Sequence, residues 1–158
     1  MLPLPEISLI LLIIGKGLRV LDISMPYSIK EIGFCDFNDW SYHIDIHGHY
    51  VFIGDWMGLR IIDISNPTSP KDIGHFWPET IIEDVDVAGH YAFLANSSDG
   101  LLIVDISDPT SPFEVGYYDY ETTGGWAEEV RVIGNYAYLL DEDGSLYKVD
   151  ISSLKEVK

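Results

Sequence analysis

The residues able to do chemistry in this chain recur in columns rather than in one cluster. His43, Asp84 and Glu129 each stand five places before a turn glycine (Gly48, Gly89 and Gly134), with Tyr42, Glu83 and Glu128 one place earlier. An imidazole converging with two carboxylates suits a divalent cation such as Zn²⁺ or Mn²⁺. These three residues are therefore a candidate metal site, and with it a candidate centre for a metal-dependent enzyme. The competing expectation is that alternating strands simply place such groups in water. A second column, Asp22, Asp63, Asp105 and Asp150, stands each time before an Ile-Ser pair. A carboxylate so placed accepts a backbone N–H in the turn that follows, and a catalytic group would be needed once, not in every copy.

Three tryptophans, Trp40, Trp77 and Trp126, lie in polar segments that also carry acids: Asn38-Asp39-Trp40-Ser41, Trp77-Pro78-Glu79-Thr80, and Tyr120-Glu121-Thr122-Thr123-Gly124-Gly125-Trp126. Aromatic anchors beside polar groups suit recognition of a protein or a carbohydrate, and they equally suit bracing between neighbouring units. Cys35 is the single cysteine, so an intrachain disulfide is excluded, and its apolar neighbours Phe34 and Phe37 predict a buried, inert thiol. His47, His49 and His90 flank turn glycines and read as turn surface, while His75 lies in a strand. Asn96-Ser97-Ser98 is a formal glycosylation sequon, meaningful only in a secretory setting. No nucleophile–base pairing, phosphate-cradling glycine loop or paired-cysteine metal signature is present, so no catalytic residue is assigned. The loops Asp55-Trp56-Met57 and Asp141-Glu142-Asp143 match no calcium-loop spacing.

The chain has 26 acidic against 9 basic residues, a net charge of −17. Such a field repels phosphates, which makes nucleic acid and anionic membranes poor partners. It favours cationic ligands, divalent ions or basic proteins, although acidity also serves solubility. The 47% apolar content excludes a disordered chain. The apolar run at residues 7–14 is far too short for a transmembrane helix, so no membrane insertion is expected. No Lys or Arg precedes that run and no small-residue cleavage site follows it, so it reads as a strand rather than a secretory signal.

The elements that position these columns repeat. Gly100-Leu101-Leu102-Ile103-Val104-Asp105-Ile106-Ser107-Asp108-Pro109-Thr110-Ser111-Pro112 recurs as Gly58-Leu59-Arg60-Ile61-Ile62-Asp63-Ile64-Ser65-Asn66-Pro67-Thr68-Ser69-Pro70. It recurs more loosely at residues 17–26 and in degraded form at 144–152. The column aspartates step by 41, 42 and 45 residues, the range of an array with one four-stranded blade per period. A complete unit reads as a meander: an alternating strand at 83–87, a hairpin turn Gly89-His90 of type II′, strands at 91–95 and 101–106, a proline turn, and a last strand at 113–118. Residues 101–106 are apolar on both faces and must be covered on both faces, which stacked blades provide. The expected organisation is one propeller-type repeat domain over residues 1–158. It divides into a partial blade at 7–37 lacking its first strand, whole blades at 42–77 and 83–118, and a partial blade at 128–158.

The copies Leu-Arg-Ile-Ile-Asp at 59–63 and Leu-Leu-Ile-Val-Asp at 101–105 are each followed by Ile-Ser-x-Pro and preceded by a Gly-x-Tyr hairpin. Together these features resemble the LVIVD-repeat β-propellers over residues 7–152. The resemblance implies an all-β partial propeller of about 3.5 blades, of a kind often secreted or surface-displayed, and it brings no shared catalytic set. The expected function is a non-enzymatic binding or scaffold module that recognises a ligand across the rim carrying Trp40, Trp77 and Trp126, and the ragged repeat pattern raises the further expectation of a fragment of a longer propeller protein. Self-association through exposed blade edges is expected as well.

Overall fold

The computed structural model describes residues 8–13, 15–25, 27–38, 40–78, 80–119 and 125–154. The proline-broken start at 1–6, the linker residues Asp39, Glu79 and 120–124, and the closing stub at 155–158 lie outside them. The described residues form fourteen strands in four antiparallel sheets, each a simple meander. The first sheet comprises β1 (Ser8–Ile13), β2 (Gly17–Asp22) and β3 (Lys30–Cys35). The second comprises β4 (Ser41–His47), β5 (Tyr50–Asp55), β6 (Leu59–Asp63) and β7 (Lys71–Phe76). The third comprises β8 (Asp84–Ala88), β9 (Tyr91–Ala95), β10 (Leu101–Asp105) and β11 (Phe113–Tyr118), and the fourth β12 (Ala127–Ile133), β13 (Tyr136–Asp141) and β14 (Leu146–Asp150). These are the blades of a partial propeller.

Apolar residues on both faces of the third strands dictate the stacking. Leu59 and Ile61 pack with Val85, Leu94, Leu102 and Val104 of the following blade, whereas Ile62 and Ile64 pack with Leu18 and Val20 of the preceding one. Leu101 and Ile103 repeat the pattern against Val130, Leu139 and Ile151. Among the described residues there are therefore three cores, one at each junction between neighbouring blades, and a blade removed from its neighbours would expose both faces.

Local chemistry closes each unit. Gly48, Gly89 and Gly134 have φ of 62°, 62° and 60° while the residue after each does not, which is the type II′ hairpin that glycine alone enters without strain. The column aspartates accept the backbone N–H of Ser24, Ser65, Ser107 and Ser152 at 2.9, 2.7, 2.8 and 2.8 Å. Hydrogen bonds from the Ser24 and Ser152 hydroxyls and N–H groups hold the Asp22 and Asp150 carboxyls below the usual carboxylate range. This column is structural.

The last two strands of each of the first three blades carry a β-bulge, at Val20/Leu21, Ile61/Ile62 and Ile103/Val104. The bulge presents a glycine to the neighbouring blade. A Cβ on Gly33 would lie 2.0 Å from the Pro67 carbonyl oxygen, and one on Gly74 would lie 1.9 Å from that of Pro109. The proline turns thus seat against the previous blade, beyond ending a strand edge.

Candidate functional site

In a four-strand meander the first strand begins, and the fourth ends, at the same end of the blade as the loop between strands two and three. That end collects Trp40, Trp77 and Trp126, the loops at 55–58, 96–100 and 141–145, and the starts of β4, β8 and β12. It is the candidate functional face.

The structure brings two of the three predicted metal ligands together. Asp84, 1% exposed, lies 3.0 Å through Oδ1 from His43 Nδ1. Its Oδ2 accepts the Val130 N–H at 3.0 Å and pairs with the Arg131 guanidinium at 2.5 Å. Asp84 thereby ties together the innermost strands of three consecutive blades. Glu129 is exposed and faces the same guanidinium; although burial opposes it, the charges of Asp84, Asp86 and Glu129 raise the Arg131 pKa above its ordinary value. His43 also lines a cleft of about 280 Å³ that it shares with Glu129, Glu83 and Glu128. Among the described residues, no group of three His, Cys, Asp or Glu side chains converges closely enough to hold a metal ion. The physical reason is that a lone innermost edge has N–H groups to satisfy, and Asp84 is spent on one of them together with an arginine.

The same device recurs two residues further along the strands, at positions that carry no site expectation from sequence. Asp45 accepts the Val87 N–H at 2.7 Å, and Asp86 accepts the Val132 N–H at 2.5 Å. Each carboxylate reaches from the first strand of one blade to the first strand of the next. Burial raises the Asp86 carboxyl above its usual range against the pull of that N–H, and the neighbouring Asp45 and Asp84 carboxylates add to the rise. The legible signal was the second acid two places after His43 and Asp84.

The tryptophans divide. Trp40 is 62% exposed, and its carbonyl accepts the N–H of Trp56, itself 56% exposed. Trp77 stacks on His75 with centroids 4.7 Å apart. Trp126 is partly buried and donates its indole N–H to Glu83 Oε1 of the preceding blade at 3.0 Å, so it braces two blades. His75 also meets Asp72 at 2.8 Å, and Asp72 pairs with Arg60 at 2.5 Å. The Arg60 guanidinium lies over the Phe37 and Trp77 rings at 4.5 and 5.4 Å, with Asp55 3.4 Å away. Cys35, expected buried, is half-buried, and that burial together with the Asp72 charge pushes its thiol pKa up, away from the reactive thiolate. His47, His49 and His90 are exposed at turns, and the sequon residue Asn96 is buried.

The LVIVD repeat model matches this sequence three times, over residues 41–76, 81–120 and 124–155. The chain belongs to the LVIVD-repeat family. The matches span the second to fourth blades of this LVIVD-repeat protein and leave β1–β3 outside, although Gly17-Leu18-Arg19-Val20-Leu21-Asp22 pairs in the same register as its counterparts. No sequence among the curated proteins matches the chain. Among solved structures it is similar to the computationally designed Ika4 protein, with a TM-score of 0.74 and 9% identity over 94% of this chain and 88% of that one. It is also similar to the computationally designed Ika8 protein, with a TM-score of 0.73 and 10% identity over 94% of this chain. This chain spans 44% of the Ika8 chain, less than half its length. At such identities the likeness shows the fold alone.

Proposed function

We propose that this LVIVD-repeat module is a non-enzymatic binding module that presents its tryptophan-bearing end to a protein partner. The observation that supports it is the adjoining pair Trp40 and Trp56, each more than half exposed and joined by a backbone hydrogen bond, with exposed Met57 beside them. Large exposed aromatics clustered among acids are anchors for recognition. A carbohydrate is the alternative ligand for the same anchors. Titrating the chain with basic tryptophan-binding peptides and with a glycan panel, while following tryptophan emission, tests the proposal. A saturable shift is expected with the peptides, and Trp40→Ala with Trp56→Ala should remove it. Saturation by glycans alone, or a peptide response that survives both substitutions, would overturn the choice of a protein partner at this face. The metal-dependent enzyme has less support, because Asp84 is already engaged by Arg131 and Val130.

We also propose self-association through the free face of the fourth blade. Leu146 and Ile133 are exposed there, although Leu146 occupies the repeat position at which Leu59 and Leu101 are fully buried. Light scattering on a sizing column should show mass rising with protein concentration, and Leu146→Lys with Ile133→Lys should restore the monomer. A concentration-independent monomer in the unmodified chain would contradict this.

A further inference from the structure

The first two blades each hold an arginine at one repeat position, two residues after the glycines Gly17 and Gly58. Arg19 lies opposite Phe34 in the ladder and Arg60 opposite His75. Arg19 pairs with Glu31 at 3.6 Å and Asp36 at 2.7 Å, with its guanidinium 5.2 Å from the Phe34 ring centre. Arg60 is held in the same manner between carboxylates and rings. In the third blade this position is Leu102, opposite Tyr117. The arginine is gone, yet its surroundings remain: Glu114 stands at the place of Glu31 and Asp72, Asp119 at that of Asp36, and Tyr117 at that of Phe34 and His75. A further exchange deepens the imbalance. Lys16, beside Arg19 in the first blade's cleft, corresponds to Asp99 in the third.

These residues line a cleft of about 340 Å³ with Pro78, Thr80 and Asn96. Asn96 is 6% exposed, and its Oδ1 has no hydrogen-bond partner among the described residues. A buried acceptor without a donor is destabilising. Independently of the acids, an unpartnered polar side chain therefore stands in the wall of this cleft. Among the described residues no basic side chain pairs with Glu114 or Asp119.

We propose that the third-blade cleft binds the guanidinium of an arginine side chain supplied by a protein partner, in place of the arginine the first two blades carry themselves. Glu114 and Asp119 take the N–H groups, Tyr117 offers a ring face, Asn96 Oδ1 accepts at the buried end, and Pro78 and Leu102 receive the methylenes. A planar, five-donor cation fits this surround better than an ammonium does. The inference deepens the binding-module reading, with which it shares a partner class, but it involves neither Trp40 nor Trp56.

The test is an NMR titration of the whole chain with N-acetyl-arginine methylamide, its lysine counterpart and free arginine. Saturable shifts at Asn96, Asp99 and Tyr117 are expected with the blocked arginine, with a dissociation constant on the order of 1 mM. The lysine compound should bind more weakly. Free arginine should also bind more weakly, because its carboxylate meets Glu114 and Asp119. Glu114→Gln with Asp119→Asn, both at exposed positions, should weaken binding by roughly tenfold or more. Leu102→Arg should abolish it by filling the cleft from within. The Trp40→Ala, Trp56→Ala variant should bind the blocked arginine unchanged, so this site and the tryptophan face fail separately. No shift with the blocked arginine, or shifts indifferent to the Glu114/Asp119 substitutions, overturns the proposal. Tighter binding of free arginine than of the blocked compound overturns the protein source in favour of a small guanidino compound.

Discussion

Alanine at Gly74 is expected to lower the stability of this protein by about 3 kcal/mol or more, whereas alanine at Gly116 should leave it unchanged or raise it by about 0.4–1 kcal/mol. Both glycines follow the bulged residue of a fourth strand, and neither has positive φ, so the difference is not one of backbone freedom. At Gly74 the new methyl would stand 1.9 Å from the Pro109 carbonyl oxygen, which is backbone in a hydrogen-bonded turn and cannot swing aside as a side-chain end would. The nearest atom to a methyl at Gly116 is Ile103 Cδ1, 4.0 Å away, because the following blade brings no proline turn to that point. Urea unfolding of the two variants side by side measures the difference. Equal losses at both positions would show that the proline turn does not seat on the glycine.

Replacing Asp84 by alanine is expected to cost about 3 kcal/mol, and replacing it by asparagine about 1. Alanine leaves the fully buried Val130 N–H without an acceptor and the Arg131 guanidinium without its buried partner, while His43 loses its contact as well. Asparagine keeps an acceptor for Val130 and gives up the charge. This ordering belongs to a strap across three blades. A metal ligand would behave otherwise: asparagine would then be nearly as damaging as alanine, and added Zn²⁺ or Mn²⁺ would raise the melting temperature of the unmodified chain alone. Thermal melts of the three proteins, with and without each ion, separate the two outcomes.

The architecture was readable from sequence because three independent signals shared one register: the aspartate before Ile-Ser, the hairpin glycine, and third strands apolar on both faces. What was not readable was which acid meets which blade. His43, Asp84 and Glu129 share a repeat position and look equivalent, yet Asp84 is buried between neighbours on both sides while Glu129 is exposed, with no further blade beside it among the described residues. Equivalent sequence positions become unequal when their surroundings differ. Arg60 was likewise legible only as a strand residue, since its partners Phe37, Asp55, Asp72 and Trp77 are gathered from two blades, which periodicity does not connect. A usable signal did exist there: an acid lies twelve residues after Arg19, after Arg60 and after Leu102, so the third copy keeps the acid without the base.

The junctions between blades run one way. Where a carboxylate takes a backbone N–H between first strands, it comes from the earlier strand and the N–H from the later one, and the bulge glycine belongs to the earlier blade while the proline turn that covers it belongs to the later. Each interior unit therefore carries a socket for its successor and a plug for its predecessor, a head-to-tail arrangement. Tandem duplication of a whole unit would copy both halves of the junction at once. Arrays of different length could then arise by genetic duplication alone, with no junction needing to evolve afresh.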